Sequence, residues 1–254
     1  PVPDGFLALC TDNLSAPDIA LPGEYFNTVL YTGDASNPKT VSGVGFSSDL
    51  VWLKSRNIIQ RHNLYDTVRG IPKSGSTDVP RISPDDTSAE SDTTDELRTV
   101  TSDGFTVDTS RNGSGNTYVA WNWLAGGAPT VDNSAGAGAT PTAGSVKIDG
   151  SNLGSALAGT LAATRLSANT TSGFSIISFT GNVTGGTTLA HGLSVAPELV
   201  IVKKRGASGT SWISGYNVAG ATGGFSTPLQ LNSNAAAIGS DVGYFNSTNP
   251  SASI

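Results

Sequence analysis

Residues Gly43–Arg56 read GVGFSSDLVWLKSR, and residues Gly192–Arg205 read GLSVAPELVIVKKR. Both stretches begin at a glycine, pass through Leu-Val followed by two further apolar residues, and end on basic side chains. A second matching pair, Phe26–Gly33 and Phe174–Gly181, precedes them in the same order. Because two segments recur in one order at nearly one spacing, the sequence predicts two homologous modules.

Strand patterns dominate both copies. The continuous apolar run Leu50–Leu53 and its repeat are typical of strands that are covered on both faces. Tyr118–Trp123 alternates with a period of two, which we expect to turn Val119, Trp121 and Trp123 towards the core. No stretch carries a convincing helical period. We therefore predict an all-β chain of two tandem, homologous β-sandwich-like modules, the second of them truncated.

The division of the chain follows from the repeat and from local composition. We predict an N-terminal arm at residues 1–20, a first module at 21–124, a Gly/Ala/Thr-rich linker at 125–168 and a second module at 169–254. The second copy has no counterpart of the Tyr118–Trp123 strand, so we expect the chain to be part of a longer polypeptide. Two alternatives stay open. The strand is present but unseen, or Phe6–Cys10 of this or a neighbouring chain fills its place.

The chain has few charged residues, and acidic ones outnumber basic ones. Lys and Arg number 14 against 20 Asp and Glu, which gives a formal net charge of −6. A protein that binds polyanions needs a surplus of basic residues, so we expect no nucleic-acid binding. No apolar run approaches the roughly 20 residues of a membrane span, so we expect no membrane insertion. The single cysteine, Cys10, is predicted to be a small buried apolar side chain.

Catalytic and metal-binding patterns are weak. The histidines, His62 and His191, occupy non-equivalent places in the two copies, which argues against a duplicated catalytic triad. We expect His191 to be a turn or packing residue. The acidic stretch at residues 85–96 is interpreted as a solvated loop, with a cation site as the alternative. We predict a protein that is not an enzyme, with no catalytic residue, no metal and no cofactor.

Aromatic side chains are the remaining candidates for a binding site, because their faces can stack on the apolar side of a sugar ring. Trp52 lies in an apolar strand and is predicted to be in the core. Trp212 and Tyr216 lie in a stretch rich in Gly and Ser, and we expect them to be exposed. These two residues are the predicted ligand-binding residues.

Several motifs together resemble a known family. They are Tyr31–Gly33, Gly43–Arg56, Asp66–Gly70, Ser102–Phe105 and Gly115–Trp123, with matching marks at Ser167–Thr171, Gly173–Ile176, His191–Leu193 and Ala196–Pro197. The chain resembles, over nearly its whole length, a repeated β-rich domain of virion appendage and tail-fibre proteins of tailed phages, especially marine ones and cyanophages. These motifs consist of turn glycines, core aromatics and strand-end bases, and they point to no particular chemistry.

The resemblance implies a structural protein of the virion, located in a tail fibre or another surface appendage and involved in host attachment. Its implied partners are other virion proteins, further copies of the chain in a homo-oligomer such as a trimer, and a glycan of the host surface. Two alternatives remain. One is a purely architectural capsid or fibre-shaft component without a ligand, and the other is a glycan-degrading tailspike with two carboxyl groups about 5–10 Å apart.

Overall fold

The computed structural model describes residues 19–71, 78–217, 224–239 and 243–254. The described residues form an all-β protein, as predicted. Its sixteen strands are β1 (Phe26–Thr32), β2 (Lys39–Ser42), β3 (Leu50–Ser55), β4 (Asn63–Asp66), β5 (Val79–Arg81), β6 (Ser91–Thr93), β7 (Leu97–Thr101), β8 (Gly104–Val107), β9 (Thr117–Trp123), β10 (Val146–Ile148), β11 (Ser151–Asn152), β12 (Ala163–Asn169), β13 (Phe174–Phe179), β14 (Leu199–Val202), β15 (Ile213–Tyr216) and β16 (Leu229–Gln230). Short 3₁₀ helices lie at Pro22–Glu24, Thr109–Arg111 and Gly224–Ser226.

The first module is a two-layer β-sandwich. One layer has the strand order β1-β9-β3-β4, and the other has the order β2-β8-β7. Both layers contribute to one apolar core, which includes Leu53 and Tyr65 from the first sheet and Phe105 and Val107 from the second. These four side chains are fully buried. Alternating residues of facing strands fill the space between two packed sheets, which explains the sandwich that the sequence predicted.

The backbones of β2 and β8 in the second layer approach each other closely at one glycine. Gly104 begins β8 and pairs with Ser42 of β2. A Cβ atom built on Gly104 would lie 2.0 Å from the carbonyl oxygen of Val41. Since no side chain fits in that space, only glycine lets β8 approach β2 this closely.

The predicted linker at residues 125–168 is largely structured. It contains β10 and β11 and most of β12, which join β13 in a sheet of order β11-β10-β12-β13. A separate apolar cluster, centred on Val146, Leu166 and Ala168, lies under this sheet. Residues 125–145, the Gly/Ala-rich part of this stretch, contain no strand, whereas apolar residues after them bury a core of their own. The division of the chain into modules stays a prediction.

The repeat is visible in the strand order. Strands β13, β14 and β15 correspond to β1, β3 and β4 of the first module. Strands β14, β15 and β16 form an antiparallel sheet in that order. Within the described residues, no strand lies between β13 and β14 in the way that β9 lies between β1 and β3.

Two further predictions concern the N-terminal arm and membrane insertion. Cys10 and residues 1–18 of the predicted arm lie outside the described residues. In the part that the structure describes, no helix is long and apolar enough to cross a bilayer.

Candidate functional site

The outer face of the first sheet is aromatic. Along β9, Tyr118, Ala120 and Asn122 are buried in the interior, whereas Trp121 and Trp123 are only partly buried. The prediction that both tryptophans face the core is wrong, although the predicted period of two is correct.

Hydrogen bonding helps to explain why the polar side chains of β9, and not its tryptophans, face the core. The Asn122 amide nitrogen donates to the carbonyl oxygens of Asn27 and Ala120 at 3.2 and 3.1 Å. Its amide oxygen accepts a hydrogen bond from Ser48 Oγ at 3.2 Å. A buried amide with these partners carries little desolvation penalty. Tyr118 adds a stacked contact with Tyr31, with ring centroids 4.8 Å apart. The polar residues of β9 are therefore stable inside.

The outward rings of this sheet, together with Phe174 of β13, are here called the aromatic face, which is defined as Phe26, Trp52, Trp121, Trp123 and Phe174. Trp52 and Trp121 are directly opposite each other in the β3–β9 ladder, and their ring centroids are 5.9 Å apart. Trp123 contacts Phe26 at 4.9 Å and stacks on Phe174 at 5.9 Å. The expectation that Trp52 is a core residue is wrong, because it alternates with the fully buried Val51 and Leu53 and points the other way.

A histidine extends this face at the Trp52 end. The Trp52 indole nitrogen donates a hydrogen bond of 2.9 Å to Nδ1 of His62, and the two rings are perpendicular at 5.8 Å. Because Nδ1 accepts, the neutral ring carries its proton on Nε2. Burial lowers the pKa of His62 below its ordinary value, against an opposing effect of Asp85. The neutral imidazole therefore offers an N–H donor at Nε2.

A small cleft opens beside this pair. Its lining residues are Trp52, His62, Pro84, Asp85 and Leu231. Asp85 is exposed, and one of its carboxylate oxygens accepts a long hydrogen bond of 3.4 Å from the His62 backbone nitrogen. The residues that line the cleft thus include an indole, an imidazole and a carboxylate, which is the mixture of apolar wall and few polar groups that small-molecule sites use.

The two predicted ligand-binding residues lie elsewhere. Trp212 is only 6 % exposed, and its indole nitrogen donates to the carbonyl oxygen of Ser83 at 2.8 Å. The expectation of an exposed Trp212 is wrong, because the ring is held between the second module and the loop after β5. Tyr216 is partly buried at the end of β15, where it pairs with Leu199, and it is not among the residues that line the cleft.

The acidic stretch at residues 85–96 contacts both modules. Glu90 forms ion pairs with Arg69 of the first module and with Arg205 of the second. The Glu90 backbone nitrogen also donates to the Arg205 carbonyl oxygen at 2.9 Å. Lys203 donates to the Thr87 carbonyl oxygen at 3.4 Å, and burial lowers its pKa. The interpretation as a solvated loop is therefore wrong for this part of it.

Other acidic groups of this loop also have basic or hydroxyl partners. Asp86 pairs with Arg61, and Asp95 accepts from the Ser110 hydroxyl. Glu96 is buried, where it binds Arg111 at 2.9 Å and accepts a 2.5 Å hydrogen bond from the Tyr65 hydroxyl. Among the residues that the structure describes, no group of three or more His, Cys, Asp or Glu side chains is placed to hold a metal ion.

His191 is buried in a packing role, as predicted. Its Nε2 lies 3.0 Å from the Ser251 carbonyl oxygen, and its Nδ1 accepts a hydrogen bond of 3.1 Å from the Leu193 backbone nitrogen. Sequence reasoning missed the pairing of His62 with Trp52. The signal was present, since His62 lies two residues before Leu64, the partner of Trp52 in the β3–β4 ladder, and Trp52 alternates with two aliphatic residues.

Comparison with known proteins places the chain in a family. A family model described as "Domain of unknown function (DUF7483)" matches residues 21–254. No curated protein and no solved structure matches the chain. The matched segment covers both modules and every strand described above. The chain therefore belongs to the DUF7483 family.

Proposed function

We propose that this protein is a non-enzymatic structural component of a phage virion appendage, such as a tail fibre, and that it contacts host surface glycans. The observation that carries the proposal is the aromatic face, which ends in the cleft of Trp52, His62 and Asp85. The sequence motifs that resemble virion appendage domains supply the biological setting.

The chemistry of the cleft suits a sugar ring. One face of a pyranose carries C–H groups and packs on an indole, while its hydroxyls need donors and acceptors at the edge. Trp52 supplies the indole, His62 Nε2–H supplies a donor, and the Asp85 carboxylate supplies an acceptor. The Trp52 ring is fixed in place by its hydrogen bond to His62, so binding costs little side-chain entropy.

The placement of the carboxylates favours binding over hydrolysis. A glycosidase needs one carboxyl group that is protonated near neutral pH and a second carboxylate beside it. In the loop at residues 85–96, Asp86, Glu90 and Glu96 are each paired with arginine. Asp85 is the one carboxylate among the residues that line the cleft, so the lining does not supply the pair of carboxyl groups that a glycosidase uses.

Weak sites suffice in such an appendage if they are repeated. Several copies of the chain in a homo-oligomer would place several clefts on one fibre, so that avidity replaces tight single-site binding. Further virion proteins are the other proposed partners.

A glycan-array screen of the recombinant chain tests the proposal. The Trp52→Ala variant removes the indole wall of the cleft, and Val183→Ala is a matched control because Val183 is a fully exposed apolar residue outside the aromatic face. We expect specific binding by the wild type and the control, and its loss in Trp52→Ala. Binding that survives Trp52→Ala would contradict the assignment of the site. A folded protein that binds no glycan would contradict the proposed ligand and favour a purely architectural role.

A further inference from the structure

The charge of the residues around the cleft bears on which sugars can bind there. The described residues that line it are Trp52, His62, Pro84, Asp85 and Leu231. Asp85 is the one acidic side chain in this set, and the set includes neither lysine nor arginine. A sugar in the cleft is therefore close to one carboxylate and to no basic side chain of the lining.

The carboxylate of Asp85 has no basic partner in the part of the chain that the structure describes. It is exposed, and the hydrogen bond that it accepts comes from the His62 backbone nitrogen at the long distance of 3.4 Å. The neighbouring Asp86, by contrast, forms an ion pair with Arg61. Because Asp85 lacks such an ion pair, its negative charge is available to a ligand.

Two basic side chains lie near His62, but neither lines the cleft. Lys54 acts on His62 electrostatically, and its ammonium group donates a hydrogen bond of 2.6 Å to the Gln60 carbonyl oxygen. Arg61 is the partner of an acidic residue outside the lining. Burial lowers the pKa of His62, so the imidazole adds no positive charge at neutral pH. The formal net charge of −6 also opposes the approach of anions.

We propose that the cleft selects sugars by their charge, and that its ligand is a glycan whose sugars carry a free, protonated amino group. An ammonium group is attracted by a carboxylate and by the face of an indole, and Asp85 and Trp52 are the residues of these two kinds in the lining. A sugar acid brings a second carboxylate towards Asp85, and two like charges repel each other. This inference rests on the proposed glycan binding and adds the class of glycan to it.

A glycan array with matched charge states tests the selection. Each sugar backbone is presented with an amine, a hydroxyl or a carboxylate at carbon 6, and the 2-amino sugars are presented with a free or an acetylated amine. On a backbone that binds, we expect the amine form to bind about fivefold more tightly than the hydroxyl form, and the carboxylate form about fivefold more weakly. Added salt should reduce both differences, because it screens exposed charges.

Two substitutions that each remove one negative charge separate the effect of Asp85 from that of the whole chain. Asp85→Asn keeps the size of the side chain and an oxygen acceptor. Asp92→Asn is the matched control, because Asp92 is an exposed residue of β6 outside the lining. We expect Asp85→Asn to bind the charged forms about as tightly as the hydroxyl form, whose affinity stays at the wild-type value and shows that the variant is folded. We expect Asp92→Asn to keep the wild-type order.

The possible failures can be told apart. Equal binding of all forms by the wild type, or tighter binding of the carboxylate form, would overturn the charge selection and leave glycan binding intact. Selection that persists in Asp85→Asn, or that is lost equally in Asp92→Asn, would overturn the role of Asp85. A folded chain that binds no sugar of the array would overturn the proposed function and this inference together.

Discussion

Trp212 holds the loop after β5 against the second module, and its replacement should reveal how strongly. The ring is 6 % exposed, its indole donates to the Ser83 carbonyl oxygen, and its backbone nitrogen donates to the Asn232 side-chain oxygen at 2.7 Å. In Trp212→Ala the whole ring and the indole donor are lost. The Ser83 oxygen then keeps only the long hydrogen bond of 3.4 Å from the Asp86 backbone nitrogen.

The magnitude follows from the buried area. A tryptophan buries roughly 150–250 Å², and at about 25 cal/mol per Å² this corresponds to about 4–6 kcal/mol as an upper estimate. Allowing for partial collapse of an unfolded chain lowers the figure to about 3–5 kcal/mol, which matches the usual cost of replacing a core tryptophan with alanine. Trp212→Phe keeps most of the area and removes the hydrogen bond, so its expected cost is about 1–2 kcal/mol.

Urea unfolding measures these losses as shifts of the transition midpoint at constant slope. Trp121→Ala is the internal control, because that ring is only partly buried and its loss should cost less than half as much. A Trp212→Ala variant whose free energy of unfolding falls by less than about 1 kcal/mol would refute the assignment, since surface substitutions rarely exceed that range. An equal effect of Trp121→Ala would also refute it.

Three further predictions concern charge, protonation and backbone space. Glu96→Gln leaves the buried Arg111 without its carboxylate partner. In a urea titration the free energy of unfolding should therefore fall by about 3–5 kcal/mol, and a change below about 1 kcal/mol would contradict this. An NMR titration should place the pKa of His62 below its ordinary value of 6.5. The folded state then takes up this proton less readily than the unfolded state, so the free energy of unfolding falls as the pH drops below 6.5. A measured pKa at or above 6.5 would contradict this prediction. Gly104→Ala should lower the thermal midpoint, because the new Cβ would meet the backbone of β2, whereas Gly23→Ala, which has nothing within 4 Å, should leave the midpoint nearly unchanged.

The sequence was sufficient for the fold class. Apolar runs such as Leu50–Leu53 and the alternation in Tyr118–Trp123 did become strands, because periodicity is a local property of the chain. Which side chains of β9 face the core was not decided by the sequence of that strand alone. It depended on the hydrogen bond that Asn122 accepts from Ser48 and on the one that it donates to the Asn27 carbonyl oxygen, and no pattern within β9 records them.

The site was harder to predict for the same reason. Trp212 lies in a stretch whose composition is typical of an exposed loop, yet its partner Ser83 lies far away in the sequence. Glu90 likewise belongs to a segment that reads as a solvated acidic loop until Arg69 and Arg205 are brought to it. Long-range pairing decides which polar segments are solvated and which are docked, and single-sequence patterns contain little of that information.

The indole N–H signals of the tryptophans can test whether the cleft beside Trp52 binds a glycan. The chain has four tryptophans, so the indole N–H resonances are few enough to assign by single substitutions. The glycan with the strongest array signal is titrated into labelled protein. We expect the Trp52 indole signal to shift most, with a smaller shift of Trp121 beside it and none of the buried Trp212. Saturable binding that moves Trp212 and leaves Trp52 unchanged would contradict it.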